Sequence, residues 1–476
     1  MGSSCGVKTA GSLERSEQAC LVPVAQGRSL TALAPTVQSR LASKAWGGIL
    51  AILYPLLILA PLASFAVLNP GSDHSRTEQV GIGCAVVGYT ILALQFVITA
   101  RFSWIEAPFG LDVLLVLHRV MALVATAALL VHPVLVASGE GWPLLTGLKV
   151  HWYIWVGRLA LALLLVQVLA SLSRRAVRIP YERWRRIHNV FAPTILALGF
   201  VHGLTAGDHA HGGGLVLWAG LVAVAFGCWI YRLGVRPRRL LQQPFRVVAV
   251  QSEAPRVWTL TLESHERRPF RFAPGQFQFL RLYGAAVPVE EHPFSIASSP
   301  TRSGGISLTI KESGDFTAGI GRVRPGDQAT VHGPFGRFSH TLYPGERALV
   351  FVAAGVGITP LMSMLRYMRD RRESRSVLLV YASRSPADVI FRDELTAIEA
   401  GDFPRLKVIH VLTNATVSWV GETGRLDADR LARLCAGVED PAFYLCCPPP
   451  MTASLIRGLR RMGVSPRRIH TDQFAL

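Results

Sequence analysis

The sequence predicts a multidomain membrane protein, with a six-helix transmembrane bundle followed by an antiparallel β-barrel and a doubly wound α/β domain. Three observations carry this fold class. Half of the 476 residues are hydrophobic and only 17% are charged, an average too apolar for an ordinary soluble chain. Six apolar stretches, each close to the ~20 residues that span a bilayer, fill the first half. The second half changes texture twice, first to short alternating strands and then to strands alternating with helices.

Residues 1–44 are rich in Ser, Ala and Gly, with five basic and two acidic residues. No compact charged segment leads at once into a short apolar core and a small-residue cleavage site. This stretch reads as a disordered cytoplasmic lead-in. The formal charge of +18 is high, but its arginines flank apolar segments instead of forming one interleaved basic and aromatic face. That argues against nucleic acid and for anchoring at a membrane surface and binding of anionic cofactors. The seven cysteines (Cys5, Cys20, Cys84, Cys228, Cys435, Cys446 and Cys447) show neither C-x-x-C nor C-x-x-C-H. A zinc ribbon, a four-cysteine iron–sulfur site, covalent c-type haem and a disulfide framework therefore lack their ligand spacing.

The spans are expected near Ala45–Leu68, Val80–Ala100, Leu111–Ala137, Val150–Leu172, Ile187–Ala206 and Gly214–Leu233. The fifth includes Pro193, a candidate kink. The connection between spans four and five holds six arginines and the segment after span six holds four, whereas the alternate loops together hold one Arg and one Lys. The positive-inside rule then puts that connection and both termini in the cytoplasm of a multi-pass cell-membrane protein.

Spans three and five carry His118 and His132, and His188 and His202, each pair fourteen residues apart. Fourteen residues fall within about 40° of four full helical turns and rise roughly 21 Å, so each pair shares one face at two depths of the bilayer. Side by side, the two helices would offer two histidine pairs stacked across the membrane, the geometry of two six-coordinate b-type haems. The plainer alternative is four unrelated packed or interfacial histidines, but ionisable groups inside lipid are costly and usually functional. His118 and His188 fall at the inner level, His132 and His202 at the outer. Arg119 adjoins His118 where an inner propionate would need a cation. Arg158, about eight residues into span four, meets either an outer propionate or another anion, or else snorkels to the surface. His151, His209 and His211 read as solvated loop residues.

After Arg239, FRVVAVQSEAPRVWTLTLESHE alternates apolar and polar residues. It opens a set of short strands (FQFLRLY, PFSIASS, GISLTIKES, QATVHGPFGRF) that predicts a small barrel from about Gln243 to Pro344. From Arg347, ALVFVAAG runs into GVGITPLMSMLRYM, a strand, glycine turn and helix. VLLVYASRS, a helix over DVIFRDELTAIEA, LKVIHVLT, and FYLCCPPP with a following helix complete a parallel sheet wound on both faces. The turn AAGVGITP lets backbone amides approach a pyrophosphate at a helix N-terminus, and CCPPPM sits at the carboxyl end of another strand, where such sheets bind ligands.

HPFSIASSP, LTIKESGDFT, AAGVGITPLMSML and YLCCPPPM, in that order, resemble the ferredoxin-reductase-type flavin and nicotinamide module. Joined to six spans with two such histidine pairs, the chain resembles the ferric reductase and NADPH oxidase superfamily from about Ala45 to the C-terminus. The resemblance implies that His292, Pro293, Phe294 and Ser295 bind FAD, and that Lys311 with Gly314, Asp315, Phe316 and Thr317 faces its pyrophosphate. It implies that Gly355, Gly357, Thr359 and Pro360 cradle the nicotinamide nucleotide, with Cys446 and Pro448 in the second loop. Ser383 and Arg384 match the place where 2′-phosphate is held, favouring NADPH over NADH. Phe474 resembles the C-terminal aromatic that covers the flavin. The family's C-G-P-P turn reads Cys446-Cys447-Pro448 here, which puts the local backbone and the hydride geometry near Cys446 in question. No EF-hand loop is found, so calcium control is not indicated.

The expected division is 1–44 lead-in, 45–235 haem-binding spans, 243–344 FAD-binding barrel and 345–476 NAD(P)H-binding domain. The expected function is electron transfer from cytoplasmic NADPH through FAD and two haems to an outer acceptor. The GDFT motif tilts that acceptor towards O2, as in a superoxide-producing oxidase, with a ferric chelate as the alternative. Delivery to a partner protein is a further alternative, and a transporter with a flavin-like regulatory domain leaves the four histidines without a role. Membrane lipid and NAD(P)H are expected partners, a second copy of the chain is compatible, and nucleic acid is not expected.

Overall fold

The computed structural model describes residues 37–68, 75–174, 176–206, 213–264, 270–284, 286–302 and 305–472. The membrane half contains α1 (Val37–Leu68), α2 (Arg76–Thr99), the short α3 (Ser103–Phe109), α4 (Leu111–Glu140), the short α5 (Pro143–Thr146), α6 (Trp152–Ser173), α7 (Tyr181–Ala206) and α8 (Gly213–Ile230). The six long helices are apolar enough to cross a membrane. The lead-in expected over 1–44 lies mostly outside the described residues; over 37–44 the backbone is already helical, because α1 extends upstream of its apolar window. α7 remains one helix through Pro193.

α2 is the most enclosed span. It starts with a capping box in which Ser75 and Glu78 satisfy each other's backbone N–H groups. Gly81 and Gly88, seven residues and thus two turns apart, then let it press against α4. A methyl at Gly81 would lie 2.9 Å from Leu135 Cβ, and one at Gly88 would lie 2.8 Å from Leu129. α8 passes through one π-helical turn, Tyr231–Val235, into α9 (Arg236–Leu241). These turns carry Arg232 and Arg236 to the foot of the bundle.

The barrel is built from β1 (Phe245–Ala254), β2 (Val257–Ser264), β3 (Phe277–Tyr283), β4 (His292–Ser295), β5 (Gly305–Lys311) and β6 (Gln328–Phe335). The strands are antiparallel in the order β4-β3-β6-β1-β2-β5. A bridge between Ile296 and Leu308 joins the first strand to the last and closes the sheet. The inward residues Leu260, Leu262, Leu280, Ile296, Ile306 and Leu308 are fully buried.

The last part holds β7 (Ala348–Ala354), α10 (Ile358–Asp370), β8 (Ser376–Ser383), α11 (Arg392–Glu399), β9 (Arg405–Leu412), β10 (Glu422–Thr423), α12 (Ala428–Cys435), β11 (Ala442–Cys446), α13 (Pro449–Arg461) and β12 (Ile469–Thr471). All its strand pairs are parallel, in the order β10-β9-β8-β7-β11-β12. Separate apolar cores pack on the two faces. The strand order reverses at β7, so the crevice between the carboxyl ends of β7 and β11 is the switch point where ligands bind. The helix expected over DVIFRDELTAIEA starts only at Arg392, because Phe391 takes a left-handed φ of 58° that a helix cannot continue through.

The barrel docks on the foot of the bundle. Leu111, at the start of α4, packs with Phe279 and Phe335. Gly336 N–H donates to Glu106 Oε1 at 3.0 Å, and Arg337 donates to the Pro108 carbonyl.

Candidate functional site

The four span histidines meet in the expected two pairs. The ring centres of His118 and His188 lie 6.2 Å apart, and those of His132 and His202 lie 6.4 Å apart. Two metal–imidazole bonds of about 2.0 Å, plus ~1.2 Å from nitrogen to ring centre on each side, give about 6.4 Å. The gap therefore fits an iron held by one nitrogen from each ring. The other nitrogens are engaged as ligating histidines require: His132 Nδ1 faces the Gly81 carbonyl at 3.0 Å, and His202 Nδ1 the Tyr153 carbonyl at 2.8 Å. His118 Nδ1 faces Gln95 Oε1 at 2.9 Å, while His188 Nδ1 is buried with no hydrogen-bond partner among the described residues. The donor set and spacing fit two bis-histidine haems.

The two arginines singled out beside the pairs are placed differently. Arg119 is exposed. Arg232, which sequence reasoning did not single out, acts electrostatically on both His118 and His188. The part-buried Arg158 donates to the carbonyls of Leu144 at 2.7 Å and Gly147 at 2.8 Å, tying α6 to the end of α5, and its guanidinium lies over Trp155. His151 is exposed and stacks on Tyr153. His209, His211 and Phe474 lie outside the described residues.

In the barrel the HPFS and GDFT segments come together. Phe316 stacks 6.0 Å from Phe294 and lies 4.3 Å from the His292 ring. Ser295 Oγ is buried with no hydrogen-bond partner among the described residues, a hydroxyl that could serve a flavin. Thr317 Oγ1 accepts from the Ser313 and Gly314 amides, which folds the GDFT turn over Asp315, and Lys311 ends β5 beside it. A cleft of about 230 Å³ opens between Phe277, Pro293 and Tyr343 of the barrel domain, His470 and Asp472 of the α/β domain, and Asp112 of α4. Behind it, Glu346 accepts from Tyr444 Oη and pairs with His470 Nε2, both at 2.7 Å.

At the switch point Gly355 has φ 55°, and a Cβ on Gly357 would run into the Cys446 carbonyl oxygen. Only glycine lets the β7 turn lie this close to β11. Thr359 Oγ1 caps the Val356 carbonyl at 2.7 Å, and Thr359 and Pro360 are buried. Pro448 precedes α13. Cys447 takes an ordinary backbone conformation and buries its thiol, 3.5 Å from the Val352 carbonyl oxygen, so the missing glycine does not distort the turn. Burial pushes the Cys447 thiol up to about 12 and the Cys446 thiol well above its ordinary value, so neither is a thiolate at neutral pH. Ser383 ends β8 buried, with Arg384 exposed beside it.

A buried ionic cluster that sequence reasoning missed joins the two halves. Glu291, one residue before His292, pairs with Arg101 at 3.0 Å and Arg236 at 3.5 Å, with His332 Nδ1 at 3.8 Å. Burial alone would raise the Glu291 carboxyl, but Arg101 and Arg236 overcome it and hold it at about 2. Burial, reinforced by Arg236, lowers His332 to about 3, so that ring is neutral. Each partner looks like an ordinary surface charge in sequence; only the pairing reveals it.

Fold and site together define a membrane flavoprotein oxidoreductase that uses a nicotinamide nucleotide. Family models match along the chain: ferric reductase like transmembrane component at residues 84–199, FAD-binding domain at 244–328, and oxidoreductase NAD-binding domain at 351–456. The chain belongs to the ferric reductase and NADPH oxidase superfamily. A ferredoxin–NADP reductase B from Sorangium cellulosum is 33% identical over 49% of this chain and 98% of its own length. The reductase component of a propane 2-monooxygenase from Mycolicibacterium smegmatis is 30% identical over 48% of this chain and 66% of its own length. Among solved structures, the FAD/NAD-binding domain of a Vibrio cholerae nitric oxide dioxygenase aligns with TM-score 0.44 and 22% identity, covering 48% of this chain and 98% of that one.

Proposed function

We propose that the chain moves electrons from cytoplasmic NADPH, through FAD and two b-type haems, to an acceptor on the outer side of the cell membrane, with O2 reduced to superoxide as the leading reading. The observation that carries it is the continuity of α4. Its first turn helps to wall the flavin cleft at Asp112, and further along it His118 and then His132 face the histidines of α7. FAD would supply the exchange of a hydride for single electrons, and bis-histidine haem would carry them one at a time.

The work of the residues is placement. His292 to Ser295, with Lys311 and the turn Gly314 to Thr317, would hold the flavin. Gly355, Gly357, Thr359 and Pro360 would cradle the nucleotide opposite Cys446 and Pro448. Arg384, exposed at the end of β8, suits a 2′-phosphate and so favours NADPH. Arg232, with Arg119, would meet inner propionates. With two histidines on each iron, a haem held here would supply electrons to the acceptor without binding it at the metal. The connections after the second, fourth and sixth spans share one side and carry Arg101, the arginines of 174–186, and Arg236. The docking of the barrel on Arg101 and Arg236, together with the positive-inside rule, supports a cytoplasmic flavin module.

The GDFT turn is the reason to place oxygen first. The ferric-reductase-like match supports ferric-chelate reduction as the second reading. Purified protein should show a bis-histidine b-type spectrum, and His132→Ala or His202→Ala should each lose about half of its absorbance; full retention in both sinks the haem assignment. NADPH oxidation read by superoxide-dismutase-sensitive and ferrozine assays separates the acceptors. Oxidation dependent on neither O2 nor Fe(III) points instead to delivery to a partner protein.

A further inference from the structure

Gln95 sits in α2, four residues before its end and only 6% exposed, in a span otherwise almost wholly apolar. A buried amide is costly unless its hydrogen bonds are made. Here they are made: Nε2 donates to the Ile91 carbonyl at 3.0 Å and to Tyr54 Oη at 3.3 Å. With both N–H groups given to acceptors, the amide has one sensible orientation, and Oε1 faces His118 Nδ1 at 2.9 Å. An amide oxygen only accepts, so His118 carries its proton on Nδ1 and turns the Nε2 lone pair towards the gap shared with His188. The outer histidines obtain the same tautomer from backbone carbonyls, those of Gly81 and Tyr153. His188 Nδ1 has no hydrogen-bond partner among the described residues. The inner pair thus depends on one side-chain acceptor and the outer pair on two carbonyls.

We propose that Gln95 is a positioning residue for the inner centre: it fixes the tautomer and ring orientation of His118 and sets the potential of that centre separately from the outer one. This rests on the bis-haem reading above. An acceptor on the far ring nitrogen makes the imidazole a stronger donor, which stabilises the ferric state and lowers the midpoint potential. A carboxylate at position 95 accepts more strongly than an amide, and an aliphatic side chain does not accept at all. The outer centre is an internal reference, since its acceptors are backbone carbonyls that a side-chain change at position 95 leaves in place: Gly81, fourteen residues earlier in α2, and Tyr153 in α6.

The test uses the full-length protein as wild type, Gln95→Glu and Gln95→Leu, with haem content and both midpoint potentials read optically at poised potentials. His202→Ala, which removes the outer centre, identifies which midpoint is which. The expected result is two haems per chain in wild type and Gln95→Glu, with the inner midpoint lowered in Gln95→Glu, raised in Gln95→Leu, and the outer midpoint unmoved in both. Loss of the inner haem in Gln95→Leu alone also supports the proposal. Unmoved midpoints, both midpoints moving together, or equal haem loss in the two variants overturn it, since glutamate keeps the acceptor. A wild-type protein without bis-histidine haem overturns the functional reading instead, and the proposal with it.

Discussion

Gly157 shows how little room the outer histidine pair leaves. It faces the ring of His202, and a methyl there would lie 2.8 Å from both Cε1 and Nδ1. The same Nδ1 makes the 2.8 Å bond to the Tyr153 carbonyl that fixes the tautomer. Gly157→Ala should therefore turn the ring out of line without removing a ligand. Because hydrogen bonds behind a ligating histidine are worth about 10–100-fold in metal affinity, the variant should bind its outer haem that much more weakly. Haem retention during purification checks it, with His132→Ala as the full-loss reference. In sequence Gly157 is one of 43 glycines. Its role appears only when α6 and α7 are placed side by side.

Among the elements, the junction between bundle and barrel matters most. Just past the end of α2, Arg101 is held at φ 60°, a conformation unfavourable for a residue with a Cβ. That twist presents its guanidinium to Glu291 and lays it 3.8 Å over the Phe279 ring. Glu291 adjoins β4, the strand proposed to hold FAD, so this ion pair would set where the flavin lies relative to α4. Glu291→Gln leaves Arg101 and Arg236 without their buried partner; breaking such a pair is destabilising by about 3–5 kcal/mol. The expected outcome is at least about tenfold slower NADPH-driven haem reduction, with NADPH–ferricyanide activity retained; equal loss of both would mean the barrel itself had unfolded. The pH sign follows from the lowered carboxyl. Its contribution to docking is fully present above the unfolded value of about 4.3 and is lost only as pH falls towards about 2. Docking in the wild type should therefore be insensitive to pH between about 8 and 5, as read by the ratio of haem reduction to ferricyanide reduction. His332, neutral down to about 3, does not alter that window.

For the whole molecule, the proposed route runs from the parallel sheet through the barrel to the bundle, and its entry would be the switch point at β7. Gly357→Ala would drive a methyl into the Cys446 carbonyl and separate β7 from β11. A displacement of that order costs about 10²-fold in a reaction that needs close alignment. NADPH-dependent flavin reduction should fall by that factor in stopped-flow measurements while haem content stays at wild type. The six spans, the barrel, the parallel sheet and the two histidine pairs were legible because each follows from a local period: 3.6 residues along a helix, 2 along a strand, fourteen between ligands. Motif resemblance added the flavin and nucleotide segments, which the fold brings together as HPFS with GDFT and as the glycine turn with Cys446. Local pattern named the charges but not their partners where several were available. Arg158 stands near the outer level and bonds the carbonyls of Leu144 and Gly147, and Arg232, not singled out in sequence, is a part-buried charge that acts with Arg119 on the inner pair. Periodicity by itself determined which faces of the chain are apolar and at what depth the histidines lie. Which groups meet across those faces (Gln95 with His118, Arg101 and Arg236 with Glu291) was decided only by tertiary structure, because those contacts join residues 23 to 190 positions apart, and no local period encodes a partner at that distance.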